Sequence, residues 1–207
     1  MDSTKADESA LSLVAALSAL LGDVADELVL IGGVAVNFWR QPRYTHDVDF
    51  NARADPALMA LISERLGDAG YRVTRSQASD APSGPDFLQF KNTESAAPLI
   101  VEFQTAKTDF QELTIARGKR LSADQPFAVA TPEDLIVLKL IANRPQDISD
   151  CIGLAGLPDL DWDYIDHWCG IWQVEERADG LRVAIDDERR RVEELMAEGP
   201  GDDKPKA

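Results

Sequence analysis

LVLIGGVAVNFWRQPRYTHDVDF, residues 28–50, carries the pattern that decides how this 207-residue chain is read. Residues 29–31 are a short apolar run ended by Gly32-Gly33, the pattern of a buried strand entering a tight turn. Residues 34–39 continue as a helix, and Pro42 marks a loop. Residues 47–51 alternate polar and apolar, which predicts a second strand. On a strand, residues i and i+2 share a face. Asp47 and Asp49 are therefore expected to project together, with Val48 and Phe50 turned into the core, and His46 pointing away from the two acids.

Two like charges perhaps ~5 Å apart repel by about 1 kcal/mol in water and by several times that in a cleft. Such a pair needs a cation, a shared proton or free solvation, and magnesium with phosphate oxygens is a natural partner. Two glycines let the backbone turn tightly and approach a ligand. The helix behind them offers unpaired N–H groups and a positive dipole end suited to phosphate. Glu102 lies in the apolar run LIVEFQ, where a carboxylate sits at a solvated edge or needs a partner. If that strand neighbours the Asp47–Asp49 strand, Glu102 becomes a third metal-site acid. Taken singly, Gly-Gly is an ordinary turn and Asp-x-Asp an ordinary solvated strand face. Their order, with Glu102, makes one site.

Outward from this segment, residues 10–21 are apolar at helical spacing, after a polar N-terminal arm. Asp55-Pro56 fits an N-cap followed by proline, opening a helix to about Asp68 that Gly70 ends. Strands are expected over 71–74, 86–91, 99–104 and 127–130, with a mobile loop over 76–85. Thr131-Pro-Glu-Asp is a strong helix start. Asn143-Arg144-Pro145 breaks that helix, and further helices follow over 146–154, 161–173 and 181–196. Residues 198–207 are rich in Gly, Pro and charge and read as a disordered tail. The order predicts an α+β fold: a core with a small mixed sheet over 1–130 and a helical C-terminal part over 131–197.

Net charge is −16, against any mode that grips nucleic acid mainly by its phosphates. No apolar run reaches the ~20 residues of a membrane helix, and the acidic start MDSTKADESA is not a secretory signal. Cys151 and Cys169 lack metal-ligand spacing and read as buried small hydrophobes in a reduced cytoplasm. The basic cluster around Arg117, Lys119 and Arg120 reads as a solvated loop.

GGVAVNFWRQPRYTHDVDF resembles the Gly-Gly/Asp-x-Asp signature of the polymerase-beta-like nucleotidyltransferase superfamily. More narrowly, G-G-x-A followed by R-x-T-x-D-V-D-F looks like the AbiEii/MenT-type minimal nucleotidyltransferases of toxin–antitoxin systems. TPEDLIVLKLIANRPQDISD resembles that group's second block. The resemblance implies a cytoplasmic enzyme that moves a nucleoside monophosphate from an NTP to an acceptor hydroxyl, on a tRNA 3′ end or a protein. It implies Gly32 and Gly33 at the triphosphate, and Asp47, Asp49 and Glu102 on Mg2+ or Mn2+. Arg43 and Thr45 would flank the metal, Lys139 would reach nucleotide phosphates, and Asp147 would orient Lys139 or touch substrate. Thr45 would also be a point of inactivating modification, and a cognate antitoxin a partner. Arg40-Gln41-Pro42 departs from the group's usual loop, and residues from Asp161 onward match nothing in it, which leaves the acceptor open. The alternative reading is a non-catalytic nucleotide-binding or antitoxin-like protein of the same fold, with the 162–172 helix as contact surface.

Overall fold

The computed structural model describes residues 3–77, 86–92 and 100–198. Most of the loop expected over 76–85, and the tail from 199, lie outside the described residues. The chain divides into two compact units between Leu135 and Ile136.

The first unit opens with α1 (Ser3–Leu21), which starts well before the residue 10 expected from apolar spacing. Leu13, Val14, Leu17 and Leu21 are its buried stripe. A 3-10 turn over Gly22–Glu27 leads into β1 (Leu28–Ile31), whose four residues are all buried. Strand β1 hands directly to α2 (Gly32–Trp39), then comes β2 (Asp47–Ala52). Helix α3 (Pro56–Asp68) begins as expected, with the Asp55 carboxylate accepting from Ala57 N at 2.8 Å. Strand β3 is Tyr71–Gln77, β4 Phe87–Asn92, β5 Ile100–Thr105 and β6 the two residues Ala128–Val129.

The strands form one mixed sheet in the order β3-β4-β5-β2-β1-β6. Strand β2 is central, antiparallel to β1 and parallel to β5. Phe50 and Phe103 stack at 5.2 Å, flanked edge-on by Phe127 and Phe90. These aromatics fill the face opposite the acids, as the alternation of β2 predicts, and Val48 and Phe50 are fully buried.

Helix α4 (Asp109–Arg117) was not anticipated. Its sequence, DFQELTIAR, buries only Phe110, Thr114 and Ile115, too few for a clear apolar period. What specifies it is the cap: Thr108 Oγ1 accepts from Gln111 N at 3.2 Å. The chain leaves α4 at Gly118, where a Cβ would sit 2.9 Å from the Val29 side chain. Val29 pairs with Asn51 of β2, so α4 ends against the acid-bearing face of the sheet. The basic cluster expected to be a solvated loop is tied down. Arg117 pairs with Asp134 and Glu133, and Arg120 with Asp26.

Helix α5 (Pro132–Ala142) starts at the cap expected, with Asp134 N donating to Thr131 Oγ1 at 3.3 Å, and it runs across the division between units. The second unit adds α6 (Pro145–Ala155), α7 (Trp162–Ile171) and α8 (Glu175–Glu198). Helix α8 begins six residues before the 181 expected. Gly180 hides the period there, but Val174, Ala178, Leu181 and Ile185 make one buried stripe. Among the described residues, no helix is long and apolar enough to cross a membrane.

Phe50→Ala removes a ring packed on two other rings with no exposed surface, and is expected to destabilise the first unit by about 3–5 kcal/mol. Urea denaturation of a variant with Trp162, Trp168 and Trp172 replaced by Phe, followed by the emission of Trp39, checks this; a loss below about 1 kcal/mol would contradict the packing described.

Candidate active site

The site is built by the junction of β1 and α2. Gly32 has φ +68°, in the left-handed region that costs side-chain-bearing residues steric strain. Ile31 is opposite Asp49 in the β1–β2 register, so the turn lands on the second acid. A Cβ on Gly32 would lie 1.8 Å from Asp49 Oδ2. A Cβ on Gly33 would lie 2.6 Å from Thr45 Oγ1 and 3.3 Å from Arg43 Nη2. Both glycines are therefore required by close approach. The N-cap residue of α2 is Ile31, which has no polar side chain to cap the helix, and the carboxylate of Asp49 lies against its first residue.

The loop between α2 and β2 is fixed from both ends. Asn37 Nδ2 donates to Arg43 O at 2.7 Å, and Arg43 N donates to Asn37 Oδ1 at 3.0 Å. Trp39 Nε1 donates to Ala130 O at 2.8 Å. Thr45, buried, donates from Oγ1 to Asp47 Oδ1 at 2.9 Å. The Tyr44 hydroxyl and His46 Nδ1 are 2.9 Å apart, and both residues are exposed.

Glu102 faces Asp49 in the β2–β5 register, the neighbour relation on which its role as a third acid depends. The three acids share one face and adjacent positions, but they are not drawn around a common point. Among the described residues, no group of three His, Cys, Asp or Glu side chains is gathered as a metal cluster. The Glu102 carboxylate instead accepts from Gln89 Nε2 at 2.5 Å, and Gln89 Oε1 accepts from Thr74 Oγ1 at 2.8 Å. The donor set of hard carboxylate oxygens beside a backbone cradle fits a divalent cation. Gln89 occupies only Oε1 of Glu102, so the second carboxylate oxygen is the one left for an ion.

Asn51 is a residue that sequence reasoning missed. It continues the period-two series Asp47, Asp49, Asn51, is fully buried, and neither side-chain polar atom finds a partner. A buried amide left unpaired costs roughly 1–3 kcal/mol, so its presence on this face calls for a reason other than stability. The alternation D-x-D-x-N was the available signal.

Lys139 and Asp147 are together in the second unit, inside a buried ion network. Lys139 Nζ is 3.2 Å from Asp147 Oδ1 and 2.7 Å from Asp150 Oδ2. The Lys139 side chain is only 6% exposed, so it is not a lysine reaching into solvent. Asp147 also accepts from Arg144 N at 3.1 Å and Arg144 Nε at 2.7 Å, so it caps α6 and orients Lys139 at once. Burial pushes the Asp147 carboxyl up, but the Arg144 hydrogen bonds and the Lys139 charge outweigh it and hold the group below the usual carboxylate range. Burial pushes the Cys151 thiol up to about 12 and Cys169 up to about 11, which leaves both inert, as expected.

Residues 9–178 match a family described as nucleotidyltransferase of unknown function (DUF6036). The chain belongs to this family. No curated protein matches it. Among solved structures it is similar to an antigenic nucleotidyltransferase-like protein from Paracoccidioides brasiliensis, at 17% identity and TM-score 0.50, over 89% of this chain and 94% of that one. That likeness is one of fold. Two further structures align across nearly their whole length: JHP933 from Helicobacter pylori, at 13% identity, TM-score 0.49 and 91% and 98% coverage, and ANT(2")-Ia in complex with adenylyl-2"-tobramycin, at 14% identity, TM-score 0.45 and 87% and 99% coverage. The mixed-sheet fold read from the sequence is thus the nucleotidyltransferase fold, and the superfamily resemblance holds.

Two predictions follow from this geometry. Gly32→Ala forces a side chain into the left-handed region, at about 1–3 kcal/mol, and against Asp49. A melting temperature unchanged within a degree or so would refute the close approach. Because Asp147 has a lowered folded pKa, its contribution to stability is present above the unfolded carboxylate value of ~3.9 and is lost as pH falls through the lower folded value. Helical signal followed against urea between pH 6 and 2.5 should show this loss, and Asp147→Asn should flatten it.

Proposed function

We propose that this chain transfers a nucleoside monophosphate from an NTP to an acceptor hydroxyl and releases pyrophosphate, using Mg2+ or Mn2+ at Asp47, Asp49 and Glu102. One observation carries the reading: Gly32 leaves room for nothing between the α2 N-terminus and the Asp49 carboxylate. A phosphate cradle and a metal acid in contact suit a polyphosphate bridged to a cation. A plain turn needs no such contact.

Each group then has a task. The backbone of Gly32 and Gly33 and the open end of α2 bind triphosphate oxygens. Asp47 and Asp49 hold the ion, with Thr45 keeping the Asp47 carboxylate oriented through its 2.9 Å hydrogen bond. Glu102 completes the set from β5. When bound, the ion supplies charge neutralisation at the phosphates and favours the ionised form of the attacking hydroxyl. Arg43, beside Gly33, adds positive charge at the same place. Lys139 is the cation proposed for the nucleotide phosphates, with Asp147 as its orienting partner. Asp150 holds the same ammonium.

The acceptors implied by the AbiEii/MenT resemblance are a tRNA 3′ end or a protein hydroxyl, in a toxin–antitoxin setting with a cognate antitoxin. The test uses the full chain with each α-labelled NTP, Mg2+ or Mn2+, and total RNA, cell protein or small metabolites. Label transfer is expected for at least one nucleotide and is expected to fall at least about 10³-fold in Asp49→Asn. Growth arrest on expression, relieved by the same substitution, is the expected outcome of the toxin role. Transfer that survives Asp49→Asn unchanged would sink the proposal, and NTP binding without turnover in any fraction would favour the non-catalytic alternative.

A further inference from the structure

The row of side chains that contains the acids continues past Glu102. Asp49 faces Glu102, Glu102 faces Gln89, and Gln89 faces Arg75. The next row runs Asn51, Gln104, Phe87, Gln77. Over β5, β4 and β3 these rows wall a cavity of about 490 Å³ with Glu102 at its inner edge. That size lies within the ~300–1,000 Å³ of small-ligand sites. Neighbouring strands are ~4.8 Å apart, so the cavity begins one strand beyond Asp49 and extends away from Gly32. In-line transfer places attacking and leaving oxygens on opposite sides of phosphorus. With the triphosphate at Gly32 and Gly33, the cavity lies on the attacking side.

The lining specifies the chemistry of the occupant. Of its two cations, one is matched by an acid of the cavity itself. Lys107 is ion-paired with Asp86, and the Arg75 guanidinium lies over the Phe87 ring at 5.7 Å. Glu102 also lines the cavity, but it is the acid assigned above to the ion. With Glu102 on the ion, one guanidinium is left over for phosphate, and the chain as a whole carries −16. An RNA end brings one phosphate per nucleotide and needs a basic track. What the lining offers instead is side-chain amides: Gln77 and Gln104, each able to donate and accept, and Gln111, whose Oε1 already accepts from Lys107 N and Thr108 Oγ1 and whose Nε2 can donate. That is the pattern complementary to hydroxyl groups.

We propose that this cavity seats the acceptor, and that the acceptor is a small uncharged polyhydroxyl compound of the saccharide class. The inference rests on the nucleotidyl-transfer reading above and narrows it away from RNA. One hydroxyl oxygen forms a bond to the α-phosphorus, the bond from that phosphorus to the β-bridging oxygen breaks, pyrophosphate leaves, and the hydroxyl proton passes to bulk water.

Saturation-transfer NMR on the full chain, without added metal, tests the cavity with sucrose, trehalose and maltose, and with a short oligoribonucleotide ending in CCA. At least one saccharide is expected to give signal with wild type and with Asp49→Asn. Gln104→Trp, or Gln77→Trp from the exposed strand should the first fail to fold, is expected to weaken it at least about tenfold. The same saccharide is expected to raise pyrophosphate release with one of the four NTPs and Mg2+. Signal from the oligonucleotide alone, from no saccharide, or undiminished in the folded tryptophan variant would overturn the proposal. A thermal shift by NTP and Mg2+ separates the two readings. If the shift is present and saccharide signal absent, only the acceptor assignment fails. If saccharide signal is present and the shift absent, nucleotidyl transfer fails, and the acceptor role falls with it.

Discussion

The structure depends on one steric fact, the contact between Gly32 and the Asp49 carboxylate. Antiparallel pairing of β1 with β2 puts Ile31 opposite Asp49. The chain must then turn into α2 at the next residue, over the top of a carboxylate. Only a residue without Cβ and with access to positive φ does so. Gly33 repeats the constraint against Thr45. The loop that carries Thr45 back to the site is held by Asn37 on one side and by Trp39 bonded to Ala130 on the other. Each of these contacts has the same effect of bringing backbone N–H groups, carboxylates and a hydroxyl to one spot on the sheet's polar face.

The two faces of the central strand divide the work. Val48 and Phe50 anchor it in an aromatic cluster with Phe103, and that rigidity fixes where Asp47 and Asp49 project. The polar face is costly to fold. It carries adjacent acids and a buried amide with no partner in Asn51. Local cost of this kind, offset by core packing on the other side of the same strand, is the usual mark of a site retained for function.

Electrostatics elsewhere in the chain are mostly internal. Arg117 and Arg120 are bound to acids, and Lys139 lies between Asp147 and Asp150. A buried pair adds little net stability over an apolar isostere, but removing one partner leaves an uncompensated charge at a cost of roughly 3–5 kcal/mol. The second unit is therefore committed to having all three charges of the Lys139 network present together.

The sequence by itself determined most of the first unit and the donor half of the site. The order of strand, Gly-Gly, helix and Asp-x-Asp was legible because each feature has a local physical cause: apolar run, positive φ, period two. The caps at Asp55 and Thr131 were legible for the same reason, since capping involves residues two or three apart. Tertiary structure alone decided the rest. That Glu102 lies beside Asp49 depends on β5 pairing parallel to β2 across some fifty residues, which no local pattern encodes. Helix α4 escaped notice because its short buried stripe has meaning only against the sheet it covers. Lys139, which the resemblance aims at nucleotide phosphates, is enclosed by α5 and α6 with Asp147 and with Asp150, an acid that spacing gave no reason to single out. The cavity beyond Glu102 belongs to the same class: its lining comes from three strands and a helix, and only their register brings those residues to one wall.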